Sequence, residues 1–324
     1  EVSTYGKYRI SGPKAESWLD HVLANNLPGE IGRVVLSPML NPRGRLVGDF
    51  TVSRLGDQEF FLVGSGAMER FHLRWWDQWL PANGVSVESL TPRWVGFNIA
   101  GPNARTLLER LSKEDVSRDA FPFLTARWME VGPVRESLVL RISFTGELGY
   151  EMFFPPEYQR ALLTAVEEAG EDLGFRLAGS RALASLRIEK SFPSWGAELS
   201  PDYSPFDAGL SRFVKLDKRD FVGREAVLRL EQQEPAYRLT AMEVDALDAD
   251  AWGGEPILRD GEYVGYVSSA AFGHCAGKSL AMGYLKSDVA REPGDLSIEL
   301  VGEARTVRAL AEPAVDPKGE HMRG

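Results

Sequence analysis

The stretch Ser143-Phe-Thr-Gly-Glu-Leu-Gly-Tyr-Glu151 carries the clearest chemical signal in the chain. A strand-like run, Leu138-Val-Leu-Arg-Ile142, leads into it, and Gly146 and Gly149 bracket an acidic residue. Glycine has no Cβ, so such a turn lets backbone approach something flat or bulky. Tyr150 and Glu151 then set a ring beside a carboxylate. A carboxylate accepts two hydrogen bonds from an amidine-like edge such as that of a pterin or guanine. A hairpin turn with a surface glutamate has the same pattern, and the spacing alone does not separate the two readings.

A second carboxylate stands in Arg45-Leu-Val-Gly-Asp-Phe-Thr-Val52. Strand alternation places Leu46, Phe50 and Val52 on one face and Val47, Asp49 and Thr51 on the other. Aspartate is disfavoured in strands, and Gly48 beside it permits close backbone approach. Asp49 is either a solvent-facing strand residue or a cleft carboxylate that accepts a proton or steadies a cation. Further on, Glu189-Lys190 and Trp195-Gly196 flank the turn Phe192-Pro193, Glu198 follows, and Arg187 and Glu189 read as structural pairs at a subdomain junction.

Several chemistries are excluded. Net charge is −10, which opposes a nucleic-acid surface. One cysteine, Cys275, rules out an internal disulfide and a thiolate-rich metal site within one chain. The four histidines are scattered, so no metal site is expected. There is no P-loop, no Gly-x-Gly-x-x-Gly after a strand, no serine elbow and no His-Glu-x-x-His. No apolar run reaches the roughly 18–20 residues of a membrane span. A reducing, cytoplasmic setting is expected. The chain enters a strand-like stretch almost at Glu1, without Met, and residues upstream are expected to be missing.

The elements that must position these groups show an internal repeat. Ile10-Ser-Gly-Pro-Lys-Ala15 precedes Trp18, Leu19, Val22 and Leu23; Ile99-Ala-Gly-Pro-Asn-Ala104 precedes Leu107, Leu108 and Leu111. Each reads as strand, Gly-Pro turn, amphipathic helix. Two copies imply two related α+β subdomains. A hairpin is expected over 46–54 and 59–63, a helix with an aromatic core stripe (Phe71, Trp75, Trp76, Trp79) over 69–80, and a helix capped by Ser180 through Lys190. From about Tyr237, short strand candidates and the hairpin signal Asp260-Gly261 predict a small antiparallel barrel or sandwich. The expected division is 1–236 and 237–324.

Taken in order, these motifs resemble the glycine-cleavage T-protein (aminomethyltransferase) superfamily. They are Ile10-x-Gly-Pro-x-Ala, Met39-Leu-Asn-x-x-Gly44, Gly48-Asp49, Ile99-x-Gly-Pro-x-Ala, Thr145-Gly-Glu-x-Gly-Tyr-Glu151, Leu186-Arg-Ile-Glu189, Pro205-x-x-Ala-Gly-Leu210, Asp220-Phe-Val-Gly-Arg-Glu-Ala226 and Gly277-Lys-Ser-Leu-Ala281. Asp49-Phe-Thr-Val, Gly64-Ser-Gly66, Trp195-Gly-x-Glu-Leu199 and Trp252-Gly-Gly-Glu-Pro256 resemble most the C-terminal folate half of dimethylglycine and sarcosine dehydrogenases.

The resemblance implies an α+β three-part cloverleaf: two related, ferredoxin-like subdomains and a C-terminal antiparallel β-barrel around a folate channel. It implies Asp49 as the catalytic residue, Glu151 on the pterin edge, and Phe144 and Tyr150 lining the channel. Leu36, Arg45 and Trp195 join the folate-binding set, Arg45 toward the glutamyl tail. The implied reaction is capture of a methylene iminium or aminomethyl unit by tetrahydrofolate, giving 5,10-methylenetetrahydrofolate. The implied partner is an FAD-containing dehydrogenase domain or subunit acting on an N-methyl amine. A stand-alone aminomethyltransferase, a tetrahydrofolate-dependent demethylase and a non-enzymatic folate-binding docking protein are the alternatives. The chain departs from the T-protein pattern at Leu36, where an aromatic is usual, at Arg45, where a second glycine is usual, and at Leu183-Ala184, which replaces an Arg-Asp pair.

Overall fold

The computed structural model describes all residues, 1–324. The first unit contains β1 (Gly6–Ser11), α1 (Ala15–Val22), β2 (Val34–Leu40), β3 (Leu46–Gly56), β4 (Glu59–Gly64), α2 (Glu69–Asp77) and β5 (Ser86–Ser89). Its sheet runs β2-β3-β4-β1-β5. The second unit contains β6 (Val95–Ala100), α3 (Ala104–Leu111), β7 (Thr125–Val131), β8 (Val134–Arg141), β9 (Gly149–Phe154) and α4 (Gln159–Gly170), with sheet order β6-β9-β8-β7. Leaving β5 aside, the two orders coincide strand for strand. The duplication legible around the two Gly-Pro turns is therefore a duplication of topology.

Both turns use the same backbone device. Gly12 and Gly101 have φ of 118° and 130°, a region L-residues avoid, and each lets the strand break sharply into its helix. A Cβ on Gly12 would lie 2.7 Å from the Gly84 carbonyl oxygen, so the position has no room for another residue.

Each sheet has an outer and an inner face. The outer face of the first packs Tyr8, Ile10, Phe50, Val52 and Leu62 against Trp18, Leu19 and Trp76 of α1 and α2. The outer face of the second packs Ile99, Val139, Tyr150 and Met152 against α3 and α4. The inner faces meet each other through Val34, Phe61, Val63, Leu138, Leu140 and Phe153, with the Phe61 and Phe153 rings 5.3 Å apart. The layers are helix, sheet, sheet, helix. The sheets also join at their edges, where Val34 N–H donates to Leu124 O at 3.0 Å and Ala126 N–H to Gly32 O at 2.7 Å.

The third part is a closed antiparallel barrel ordered β10-β13-β12-β11-β14-β15. Its strands are β10 (Tyr237–Val244), β11 (Pro256–Arg259), β12 (Glu262–Gly273), β13 (Lys278–Lys286), β14 (Leu296–Leu300) and β15 (Glu303–Leu310). Asp260 and Gly261 form the β11–β12 hairpin with φ of 54° and 81°, as the Asp-Gly pair predicts. Helix α5 (Ser180–Glu189) locks the barrel to the rest. Ser185 Oγ donates to Phe272 O at 2.6 Å, and Glu189 Oε1 accepts from the N–H groups of Cys275 and Ala276 at 2.7 and 3.1 Å. No helix is long and apolar enough to cross a membrane.

Three local expectations change. The helix after Gly179 has Ser180 as its first helical residue, with Gly179 in the capping position. Helix α2 ends at Asp77, and Trp79 packs against the core from beyond its end. Leu46 and Val47 exchange faces: Met39 pairs with Gly48 while Leu40 pairs with Leu46, so the register slips and Val47 is the extra residue. Such a bulge reverses the alternation on one side of it. Val47 joins the outer core with Phe50 and Val52, and Leu46 turns to the junction with the barrel. Asp49 and Thr51, beyond the slip, keep the inner face.

The segment 2–5 straps the two units together. Val2 N–H donates to Gly96 O at 2.7 Å and Gly96 N–H to Ser3 Oγ at 3.0 Å before the chain enters β1. A Cβ on Gly66 would overlap the Thr4 carbonyl oxygen. Gly66→Ala should therefore push the strap off and cost about 1–3 kcal/mol. Chemical denaturation of wild type and variant measures this, and equal midpoints would show that the close approach is dispensable.

Candidate functional site

Asp49 lies on β3 opposite Pro38 of β2. The bulge beside it and the missing Cβ of Gly48, which would crowd Phe50 and His72, set its backbone. Its side chain is half-buried on the inner face. Burial pushes its carboxyl up to about 6, its own backbone N–H pulling slightly the other way. Glu151 lies on β9 between Asn98 of β6 and Leu140 of β8. Only 4% of it is exposed. Burial pushes its carboxyl up to about 7, opposed by a hydrogen bond from Asn98. No basic side chain forms an ion pair with either carboxylate. Taking a charge out of water without a counter-charge is expensive, and both groups hold their protons more tightly for that reason.

The sequence therefore places two carboxylates on the two sheets, and the tertiary structure turns both to the inner faces. Leu36 shares the inner face with Asp49, two residues back along β2 from Pro38. Phe144 is half-buried at the end of the second sheet, its ring stacked on Phe192 with centroids 6.2 Å apart and planes 18° apart. Phe192 was not singled out from the sequence, where it reads only as part of the Phe-Pro turn.

Other expected members lie elsewhere. Tyr150 does not line the inner face. Adjacent to Glu151 on an extended strand, it points the opposite way, fully buried in the outer core with its ring 5.6 Å from Phe121. Arg45 extends to the barrel junction, where Nη1 donates to Asp207 Oδ2 at 3.2 Å and to Asp202 O at 3.1 Å. Trp195 packs at the same junction beside Leu199, Leu210 and Val214. The Gly146 turn does bring something bulky close, but it comes from within the protein. A Cβ there would collide with the Lys190 side chain. Lys190 is itself buried, bonded to Asp316.

Arg187 and Glu189 are both structural, but Arg187 pairs with Glu198, while Glu189 binds the barrel backbone at Cys275 and Ala276. The Arg187–Glu198 ion pair is 2.7 Å long and almost wholly buried. Glu198 also accepts from Ser268 Oγ at 2.8 Å, Ser194 N–H at 2.9 Å and Ser269 Oγ. Tyr284 O–H donates to its carbonyl at 2.7 Å. These bonds tie the turn after α5 to β12 and β13.

No cluster of three or more histidine, cysteine or acidic side chains could hold a metal. Two surface clefts, one beside Glu16, Asp20 and Gln58 and the other beside Arg118, Arg141 and Arg323, include neither Asp49 nor Glu151.

Fold and site together define a cloverleaf with one acidic group on each of two related facing sheets, closed by a small barrel. The GCVT N-terminal domain matches residues 1–218, and the glycine cleavage T-protein C-terminal barrel domain matches 238–316. The chain belongs to the glycine-cleavage T-protein family, a folate-dependent family.

Among curated relatives, mitochondrial dimethylglycine dehydrogenase of Mus musculus is 34% identical over 318 residues, 97% of this chain and 36% of that protein. The chain thus spans about a third of the length of such relatives. The aminomethyltransferase of Desulforamulus reducens is 30% identical over 317 residues, 97% of this chain and 85% of that one. The crystal structure of glycine cleavage system aminomethyltransferase T from Bartonella henselae superposes with a TM-score of 0.88 at 24% identity, covering 98% of this chain and 85% of that chain. At that identity the likeness shows the fold.

Proposed function

We propose that this chain is a tetrahydrofolate-dependent one-carbon transferase that receives a methylene-iminium or aminomethyl unit from an N-methyl amine of the dimethylglycine or sarcosine kind. Residues 1–236 form the folate-binding part and 237–324 the barrel domain, and an FAD-containing dehydrogenase domain or subunit supplies the oxidised amine. The observation that carries the folate reading is Glu151, a nearly buried carboxylate with no cationic side chain beside it. A pterin edge, with an amino group next to a ring N–H, supplies the two donors that such a group lacks. The likeness to dimethylglycine dehydrogenase supports the choice of donor.

Tetrahydrofolate supplies two amines, N5 and N10, that become the two C–N bonds of the product. As the second of these bonds closes, the bond between the methylene carbon and the donor nitrogen breaks, and Asp49 would take the proton that the folate nitrogen loses and pass it to the departing amine. With its carboxyl raised to about 6, it is ionised near neutral pH and more basic than a surface aspartate. Before that step the same negative charge would steady the cationic one-carbon unit. Glu151, on the opposite sheet, fixes the orientation of the ring. Holding both reactants in place supplies much of the remaining acceleration.

The stand-alone aminomethyltransferase is the second reading, favoured by the Desulforamulus reducens relative, of which the chain covers 85%. Comparing sarcosine-derived iminium with an aminomethylated carrier as donor separates the two.

The pH dependence of tetrahydrofolate binding tests the folate reading. Glu151 must be ionised to accept both donors, so affinity should fall about tenfold per pH unit below about 7 and level off above it. Titration calorimetry from pH 5.5 to 8.5, with Glu151→Gln as control, measures this. Binding unchanged in the variant would remove Glu151 from the site, and absence of binding by folded wild type would refute the folate reading.

A further inference from the structure

Tyr5 packs against the cluster between the two sheets and takes no part in the reaction as derived above. The strand register locates it. Leu36, Thr51, Val63 and Lys7 pair across β2, β3, β4 and β1 in one row. Strands β1 and β3 each run antiparallel to the β4 between them, so they are parallel to each other. Tyr5 precedes Lys7 by two residues, as Asp49 precedes Thr51. Tyr5 lies in the bend that leads into β1, at the end of the sheet where Asp49 stands on β3. It packs against the inter-sheet cluster, and it feels the charge of Glu151 from the opposite sheet.

The chain holds Tyr5 firmly. Its N–H donates to Val2 O at 3.1 Å. The fully buried Lys7 donates through Nζ to the carbonyls of Ser3 and Tyr5, both at 2.8 Å. Burial brings the Lys7 ammonium down to about 8, with Glu69 opposing, and no carboxylate pairs with it. A lysine placed at that cost serves to anchor the strap. The Tyr5 hydroxyl, by contrast, hydrogen-bonds to no protein group. Burial, and after it the Glu151 carboxylate, push the phenol up, so it remains a donor at physiological pH.

We infer that Tyr5 is a ligand-binding residue of this site, its hydroxyl donating to the ring carbonyl of a reduced pterin whose amino and N–H groups lie on Glu151. The inference rests on the folate reading. A pterin presents donor, donor and acceptor along one edge. Glu151 satisfies the two donors and leaves the acceptor without a partner. A phenol beside that carboxylate completes the set, and an unpaired acceptor in a buried site weakens binding.

The test is Tyr5→Phe, which keeps the ring and its packing and removes only the hydroxyl. Its affinity for tetrahydrofolate should fall about tenfold at every pH from 5.5 to 8.5. Thermal stability and the pH midpoint set by Glu151 should stay where they are in wild type. Wild-type affinity in Tyr5→Phe would overturn the proposal while leaving the folate reading intact. A loss that came with a displaced midpoint would also overturn it, because Tyr5 would then act only through the surroundings of Glu151. Absence of binding by wild type would refute both readings.

Discussion

Asp49→Asn should keep the fold and tetrahydrofolate binding and lower methylenetetrahydrofolate formation by about 100- to 10,000-fold. That range is what a positioned proton acceptor contributes. Asparagine has nearly the same shape, so β3, its bulge and the packing of Phe50 are untouched. The substitution removes the charge and the basicity and leaves the outline. Burial raises the Asp49 carboxyl to about 6, so wild-type turnover should decline as pH falls through that value. The variant should show no such limb. Single-turnover formation of product, followed across pH with the amine donor in excess, measures both effects. Turnover within a few fold of wild type would remove Asp49 from the chemistry. Lost folate binding would instead make it a binding residue.

Glu198→Ala should cost about 3–5 kcal/mol, which is a large share of the stability of an ordinary domain. The expense comes from what is left behind. Arg187 is 6% exposed, and without Glu198 its guanidinium keeps the Phe192 carbonyl at 3.1 Å but loses its counter-charge. Ser268 and Ser269 lose their acceptor as well. The damage should fall on the union of α5 with the barrel, which these groups make. Calorimetric unfolding of the variant should show a lowered and broadened transition. The double variant Arg187→Met, Glu198→Met should recover part of the loss, because it removes both charges together. A double variant worse than the sum of the single ones would contradict this account.

The raised carboxylates also act on stability, with opposite sign to the usual case. A group whose folded pKa exceeds its unfolded one stabilises the fold below the unfolded value and loses that contribution as pH rises through the folded value. For Glu151 the window runs from 4.5 to about 7. Glu151→Gln should therefore be the more stable protein at pH 8, by at most about 3 kcal/mol, while it binds folate poorly. A site group that costs stability and confers binding is what a functional carboxylate in a buried setting entails.

Local order was legible in the chain because it depends on local physics. The apolar spacing around Trp18 and Leu107 predicts helices where they occur, and Asp260-Gly261 predicts its hairpin from the φ values that aspartate and glycine accept. The two Gly-Pro turns reveal a duplication that the strand orders repeat. The ordered motifs point to the family, and with it to a cloverleaf and to Asp49 and Glu151 as the carboxylates of interest.

The chain alone carried the set of elements, the duplication and the two acidic residues. The tertiary structure decided which way things face. Alternation states that Tyr150 and Glu151 oppose each other, but only the packing of α3 and α4 on one side and a second sheet on the other says which is the core. A bulge at Met39 and Leu40 depends on pairing between strands, and it exchanged Leu46 and Val47. The partner of the Gly146 turn proved to be Lys190, close in space and far apart along the chain. Period and propensity are set within a few residues. Contact between distant residues is settled only when sheets, helices and barrel bury their surfaces together.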